Sequence, residues 1–324
     1  MFDYACIYLL VSSFYFTGVK PVRFFTKYHQ LIDLAMPKEN LLVKRVNISK
    51  FDDFTTYQWS HSDSYNFFER FLIRKVLINN SPHGKFAVDI GCGPGLVLRE
   101  MHHIYSYCVG MDISLGILRC AKNYLRAKEK RNIDLICADI EYMPFRNSIF
   151  DVAAMYSVFH HLPNLNESLR ETSRIMTSNS PLILFHEPNE IRIRRIFEKT
   201  LIRLLWKVRA VLLRSVHKRK WQQVRREAQR RFTKLGTSED LADYHSKRGF
   251  SAKEMMMLLE KSGFEVIHIK TRIQSFMITF SRLYWPYKSI AVLDFLLGEL
   301  PLLRNYLPLL LSVAKKKRSN KKGS

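Results

Sequence analysis

From residue 85 onward, apolar runs of strand length alternate with stretches of helical periodicity. KFAVDI (85–90), YCVGMDI (107–113), IDLICADI (133–140), FDVAAMYSV (150–158) and PLILFHE (181–187) predict five strands. Residues 96–104, 115–129 and 165–177 predict the helices between them, with Ser114 placed to cap the second. After a long insertion, Ser251 precedes a helix, AKEMMMLLEKSG, that ends at Gly263. FEVIHIKT (264–271) and QSFMITFSRL (274–283) predict two further strands. Alternation with short links means an α/β fold: a doubly wound, Rossmann-like sheet of seven strands with helices on both faces. Only Arg272 and Ile273 separate the last two strands, whereas a parallel crossover needs a dozen residues or more. That pair is therefore expected to form an antiparallel hairpin at one edge of a mostly parallel sheet.

The chain has 324 residues, 47% hydrophobic and 25% charged, which excludes a disordered or fibrous protein. Five cysteines, at 6, 92, 108, 120 and 137, are odd in number and form no CxxC pair. Reduced thiols in a cytoplasmic protein are expected, with no metal site. The net charge of +23 is concentrated. Residues 191–231 hold fifteen Lys and Arg against Glu198 and Glu227, and Lys315 to Lys322 add six more cations without an acid. Such segments attract phosphate, nucleic acid or anionic lipid. On a helical wheel Ile193, Phe197, Leu201, Leu204, Leu205, Val208, Val211 and Leu212 share one face. Lys199, Arg203, Lys207, Arg214 and Lys218 lie opposite, with Arg194 and Trp206 as exceptions, so an amphipathic basic helix is expected.

Two apolar segments bear on membranes. Tyr4 to Val19 carries no charge over sixteen residues, short of the roughly 20 that span a bilayer. It reads equally as an anchor, a buried helix or translation from an upstream start with Met36 as the true one. Ile290 to Ala314 is Leu-rich but broken by Asp294, Glu299, Pro301, Arg304 and Pro308, so it is expected to lie in an interface, its basic end facing anionic headgroups. The expected organisation is an apolar extension over 1–36, a core over 37–190, a basic helical insertion over 191–250, the last helix and strands over 251–283, and a Leu-rich, basic extension over 284–324.

The strongest chemical signal is VDIGCGPG (88–95), where a strand runs into Gly91, Gly93 and Gly95 and then a helix. Glycines allow the turn and let a ligand approach the backbone, and a helix start favours anions. The spacing is neither the dinucleotide fingerprint nor a P-loop. Asp112 ends the second strand 23 residues after Asp89, where doubly wound sheets grip ribose hydroxyls. Asp139 ends the third strand at the same sheet edge, placed to accept from an exocyclic amine.

Together VDIGCGPG, GMDIS, CADIEYMPFRNSIFDVAAMYSVFHHL and LILFHEPN resemble the class I S-adenosylmethionine-dependent methyltransferases, most of all the small-molecule type that includes ubiquinone and menaquinone biosynthesis methyltransferases. The resemblance is tight over 85–187 and loose over 250–283. It implies a seven-stranded sheet with a reversed last strand and S-adenosylmethionine as cofactor. It further implies that Asp89, Gly91, Cys92, Gly93 and Gly95 form the loop around the methionine moiety. Asp112 would hold the ribose, Ile113 pack on the adenine, Asp139 and Ile140 read its edge, and Tyr156 and Ser157 lie near the methyl group.

Methyl transfer needs mainly positioning, and a base only where the acceptor must lose a proton. Candidates are His160 and His161 after the fourth strand, Glu187 ending the fifth, and His245, from a lid over the acceptor. His161, in HHLPN, matches a histidine common in this group, where packing or capping is as open a role as chemistry. Neither an NPPY-like run nor a cysteine follows the fourth strand, which disfavours nucleic-acid bases as substrate. The expected acceptor is a small molecule or a lipid-linked one, met at an anionic membrane surface on the cytoplasmic face. An RNA methyltransferase using the basic segments, and a cofactor-binding protein without catalysis, are the rivals.

Overall fold

The computed structural model describes residues 38–52, 63–81, 84–126, 132–190, 245, 248–272 and 309–318. Two helices, α1 (Lys38–Asp52) and α2 (Asp63–Asn80), precede the sheet. Then follow β1 (Phe86–Ile90), α3 (Leu98–Met101), β2 (Tyr107–Asp112), α4 (Leu115–Arg126), β3 (Ile133–Cys137), β4 (Val152–Tyr156), α5 (Leu165–Ile175) and β5 (Pro181–Pro188). The chain closes with α6 (Ala252–Lys261), β6 (Phe264–Arg272) and β7 (Leu309–Lys316). Single 3-10 turns follow β3 (Ile140–Tyr142) and β4 (Phe159–His161).

The seven strands form one sheet in the order β3-β2-β1-β4-β5-β7-β6. The first five are parallel, and β7 runs antiparallel to both β5 and β6. Strand alternation divides the core. Val88, Ile90, Met155, Leu182 and Leu184 face one layer, with Leu169 of α5 and Met255 and Leu259 of α6. Ala87, Cys108, Val152, Ile183 and Phe185 face the other, with Ile73 and Leu77 of α2, Leu98 and Met101 of α3 and Leu118 of α4. Capping follows the sequence: Ser114 Oγ accepts from Ile117 N at 3.1 Å, and Ser251 Oγ accepts from Glu254 N at 3.1 Å.

The strand beside β6 differs from expectation. The partner is LLLSVAKK of β7, paired from Phe264↔Lys316 to Arg272↔Leu309, while residues 274–283 lie outside the described residues. The antiparallel pairing holds, but the two strands are no tight hairpin, and β7 sits inside the sheet while β6 takes its edge. The Leu-rich end expected in a membrane interface is core here. None of Leu309 to Ala314 exposes more than 7% of its surface. Each of Leu310, Leu311 and Val313 contributes about 1.5–3 kcal/mol by burial. The basic end is also partly used, as Lys316 Nζ donates to the Met176 carbonyl at 2.7 Å. The helix after the glycine loop is also shorter than expected, one turn over Leu98–Met101. The basic insertion up to residue 244 and the N-terminal extension up to residue 37 lie outside the described residues. Among the described residues no helix is long and apolar enough to cross a membrane.

Candidate functional site

The strand order reverses between β1 and β4, and a cavity of 430 Å³ opens at the carboxyl ends of the strands there. Each wall comes from a loop that leaves one of these strands: Gly91–Pro94 after β1, Asp112 and Ile113 after β2, Asp139 and Ile140 after β3, and Tyr156–Val158 after β4. The glycine loop needs its glycines for two different reasons. Gly91 has φ +69°, and a Cβ there would lie 2.4 Å from Val158 Cγ2. Gly93 has φ +51°, but its Cβ would meet only Ile117 Cδ1, at 3.7 Å, and would otherwise project into open space. Gly95 does not line the cavity; it closes the turn with its N–H 2.9 Å from the Cys92 carbonyl. The Cys92 N–H in turn binds the Met111 carbonyl at 2.9 Å, which ties the loop to β2. Burial pushes the Cys92 thiol well up, so it acts as a packing group.

Three carboxylates surround this loop. Asp112 Oδ2 accepts the Gly93 N–H and Oδ1 the Ser114 N–H, both at 2.9 Å, which fixes the carboxylate at the cavity wall. Asp139 is 3% exposed. Its Oδ1 accepts the Glu141 N–H at 3.0 Å, and Oδ2 lies 2.7 Å from Lys44 Nζ, which also reaches Glu141 at 2.9 Å. Asp89 lies beneath the loop, 1% exposed, and neither of its oxygens meets a hydrogen-bond partner among the described residues. Burial pushes its carboxyl up to about 8.

The loop after β4 is shaped from β5. Leu182 and Leu184 face one core layer and Ile183 and Phe185 the other, so strict alternation would turn Glu187 toward Phe185. A bulge between Leu184 and Glu187 instead pairs Glu187 with Leu310, on the layer that holds Phe159. His186 takes up the extra residue with φ +61°, and its ring stacks on Tyr156 at 5.2 Å. Burial lowers the His186 imidazole to about 4, so it is neutral at pH 7. Thus aimed, the fully buried Glu187 carboxylate accepts the N–H groups of Val158 (3.0 Å), Phe159 (2.9 Å) and His160 (3.0 Å). Its Oε2 also lies 2.8 Å from His160 Nδ1.

Of the residues singled out in the sequence, Gly91, Cys92, Gly93, Asp112, Ile113, Asp139, Ile140, Tyr156, Ser157, His160 and His161 meet in one cavity. Asp89, Gly95, Glu187 and His245 do not line it. Glu187 stands behind the β4 loop with its oxygens taken up by three backbone N–H groups and the His160 ring, so it is an anchor and not a base in contact with an acceptor. His245, expected on a lid over the acceptor, lies behind His160, donating its backbone N–H to the His160 carbonyl at 2.8 Å. Sequence reasoning missed α1. Lys44, Asn47, Lys50 and Phe51 complete the cavity. Asn47 Nδ2 donates to the His161 carbonyl at 3.3 Å, and Phe51 meets the His161 ring edge-on at 5.4 Å. Nothing in KENLLVKRVNISKFD marks this docking, because it is made with residues about a hundred positions away in sequence.

These residues suit S-adenosylmethionine. The open space over Gly93 admits a ligand against the backbone, and a Cβ would fill it. Asp112 presents a fixed carboxylate at the cavity wall, where it can accept from ligand hydroxyls. Comparison with known proteins agrees. Residues 88–184 match the methyltransferase domain family. An uncharacterized protein of Methanocaldococcus jannaschii is 29% identical over 204 residues, 63% of this chain and 70% of its own. The malonyl-[acyl-carrier protein] O-methyltransferase of Legionella pneumophila is 34% identical over 98 residues, 30% of this chain and 34% of its own. The demethylmenaquinone methyltransferase of Corynebacterium urealyticum is 29% identical over 101 residues, 31% of this chain and 41% of its own. The chain thus spans well under half the length of these last two relatives.

Proposed function

We propose that the chain is a class I S-adenosylmethionine-dependent methyltransferase, as its match to the methyltransferase domain family over residues 88–184 supports, and that it methylates a small-molecule acceptor bound between α1 and the β4 loop. The observation that carries this reading is a single cavity. The glycine loop, Asp112 and Asp139 bound one part of it, and Phe51, His160, His161 and Leu162 another. When bound, S-adenosylmethionine supplies a sulfonium methyl group, its C–S bonding pair leaving on sulfur as the thioether S-adenosylhomocysteine. The chain supplies position: Gly93 and Asp112 seat the donor, Ile113, Asp139 and Ile140 flank its adenine, and Tyr156 and Ser157 stand beside the reacting end. Such alignment contributes roughly 7–11 kcal/mol in well-oriented reactions.

A lipid-linked acceptor at an anionic, cytoplasmic-facing membrane is the finer form of this reading. The charge of residues 191–231, fifteen cations against two acids, supports it. Calorimetry with S-adenosylmethionine tests the first step; no binding overturns the reading. Incubation of methyl-labelled donor with a cell extract, followed by phase separation, tests the second. Label is expected in the small-molecule or lipid fraction. Label in RNA would favour the rival use of the basic segments.

A further inference from the structure

We infer that the acceptor has an anionic head, a carboxylate or a phosphate on an apolar body, and that Lys50 is the residue that holds this head; the inference rests on the methyltransferase reading above. Lys44, Asn47, Lys50 and Phe51 fall at intervals of three and four residues, so they share the face of α1 that lines the cavity. That face is fixed at both ends. At one, Lys44 Nζ holds Asp139 at 2.7 Å. At the other, Phe51 meets the His161 ring edge-on at 5.4 Å. Asn47, between them, donates from Nδ2 to the Val43 carbonyl at 3.1 Å and to the His161 carbonyl at 3.3 Å. Six residues of helix set the Lys50 backbone about 9 Å beyond that of Lys44, toward the acceptor end. Lys50 is half-buried there, with Nζ 5.6 Å from the centroid of the Phe51 ring.

Charge is divided unevenly along this face. Among the described residues the acids that line the cavity are Asp112 and Asp139, both at the donor end, and Asp139 is matched by Lys44. No carboxylate lines the part formed by Lys50, Phe51, His160, His161 and Leu162. The sulfonium of a bound donor adds a second positive charge to the same space. An anionic head is attracted by both charges, whereas a cationic head is repelled by both. An ammonium has three N–H donors, so Lys50 can take an anion beside its other contacts. Phe51, Leu162 and Pro163 leave an apolar wall for the body of the acceptor. The head is a handle and not the group methylated. Lone pairs held by an ammonium are poor nucleophiles, and the methyl group is delivered beside Tyr156 and Ser157, on the β4 loop and not on α1.

Saturation-transfer NMR of the full chain with S-adenosylhomocysteine bound tests the handle without turnover, using benzoate, phenyl phosphate and the neutral benzyl alcohol as probes. Transfer is expected to benzoate or phenyl phosphate and not to benzyl alcohol. The response to the anion should vanish in Lys50→Met and return in Lys50→Arg, while calorimetry shows that both variants still bind S-adenosylmethionine. Turnover supplies a second readout. In a nuclease-treated cell extract the acceptor should be retained by an anion exchanger and eluted by salt, and the methyl-labelled product should be retained as well. Phosphatase treatment of the eluate tells the two heads apart: loss of retention marks a phosphate, persistence a carboxylate. Lys50→Met should raise KM for the eluate by about tenfold or more, the scale of a hydrogen bond to a charged group, and change kcat far less. Transfer to benzyl alcohol equal to that of the anions, no transfer to either anion, a response indifferent to Lys50→Met, an acceptor that passes through the exchanger, or a product that has lost its charge would each overturn the inference. Failure of S-adenosylmethionine to bind the unaltered protein would overturn the methyltransferase reading instead.

Discussion

The backbone N–H of Gly93 donates to Oδ2 of Asp112 at 2.9 Å, so the residue that ends β2 also holds the glycine loop that ends β1. Its other oxygen is held by Ser114 at 2.9 Å. On the proposed reading Asp112 shapes the donor site twice, by holding the Gly93 N–H and by offering a carboxylate to the ribose hydroxyls. Asp112→Ala should weaken S-adenosylmethionine binding by about 1.5–3 kcal/mol, the range for hydrogen bonds to a charged group. Asp112→Asn, which keeps one oxygen acceptor, should lose less. Unchanged calorimetric affinity in a folded Ala variant would remove Asp112 from the site.

Gly91 and Gly93 should separate folding from binding. A methyl group at Gly91 collides with Val158, so Gly91→Ala must displace the β4 loop and should lower the melting temperature clearly. At Gly93 the added methyl has room in the empty cavity, leaving mainly the left-handed strain of about 1–2 kcal/mol. Gly93→Ala should therefore unfold near the parent temperature yet bind S-adenosylmethionine far more weakly. A Gly93 variant that binds normally would show that the loop is no cofactor cradle.

The parts of this site that local sequence encodes were readable. Glycines, Asp112 and Asp139 announce themselves because each stands at or just after the carboxyl end of an apolar strand, and the parallel sheet brings those ends to one edge. Lys44 and Phe51 were not readable, because their place is fixed by docking of α1 across the chain onto Asp139 and His161. Glu187 was visible as an acid at a strand end, but its role depends on the bulge at His186, which alternation of apolar residues does not reveal. The seventh strand was misplaced for a related reason. An interior strand buried on both faces reads as an unbroken apolar run, and LLLSVA beside lysines resembles an interfacial segment as much as a strand. QSFMITFSRL, closer to β6 and alternating, was the more strand-like text.

That placement has its own consequence. Leu310, 1% exposed, packs beside Glu187 and Thr271 in the middle of three strands. Leu310→Ala should cost about 2–5 kcal/mol in urea unfolding. Liposome co-sedimentation by the still-folded variant should be unchanged. A variant as stable as the parent but released from liposomes would restore the interfacial reading of this segment.

Donor binding should release a proton from Asp89. Burial holds its folded pKa at about 8 against an ordinary 3.8, so the carboxyl is neutral in the free protein at pH 6.5. A cationic amine bound in the cavity above the loop favours the ionised form through space, and binding then expels the proton. Affinity should consequently rise with pH up to about 7.7, above which the donor's α-amino group begins to lose its charge. At pH 6.5 the α-amino group of the donor is already charged, its pKa being about 7.7–8.0, so it adds no proton exchange of its own. Calorimetry at that pH in two buffers of different ionisation enthalpy should show net proton release, and Asp89→Asn should abolish it. The free protein carries the same linkage in its stability. A raised folded pKa stabilises below 3.8 and loses that contribution as pH rises through about 8. His186 acts oppositely, its contribution present above 6.5 and lost as pH falls toward about 4. Between 6.5 and 8 Asp89 therefore acts alone of the two, and by about 2 kcal/mol at most. Asp89→Asn should raise the melting temperature of the free protein more at pH 8 than at pH 6.5. An equal shift at both values, with no buffer dependence of the binding heat, would mean that Asp89 is ionised throughout.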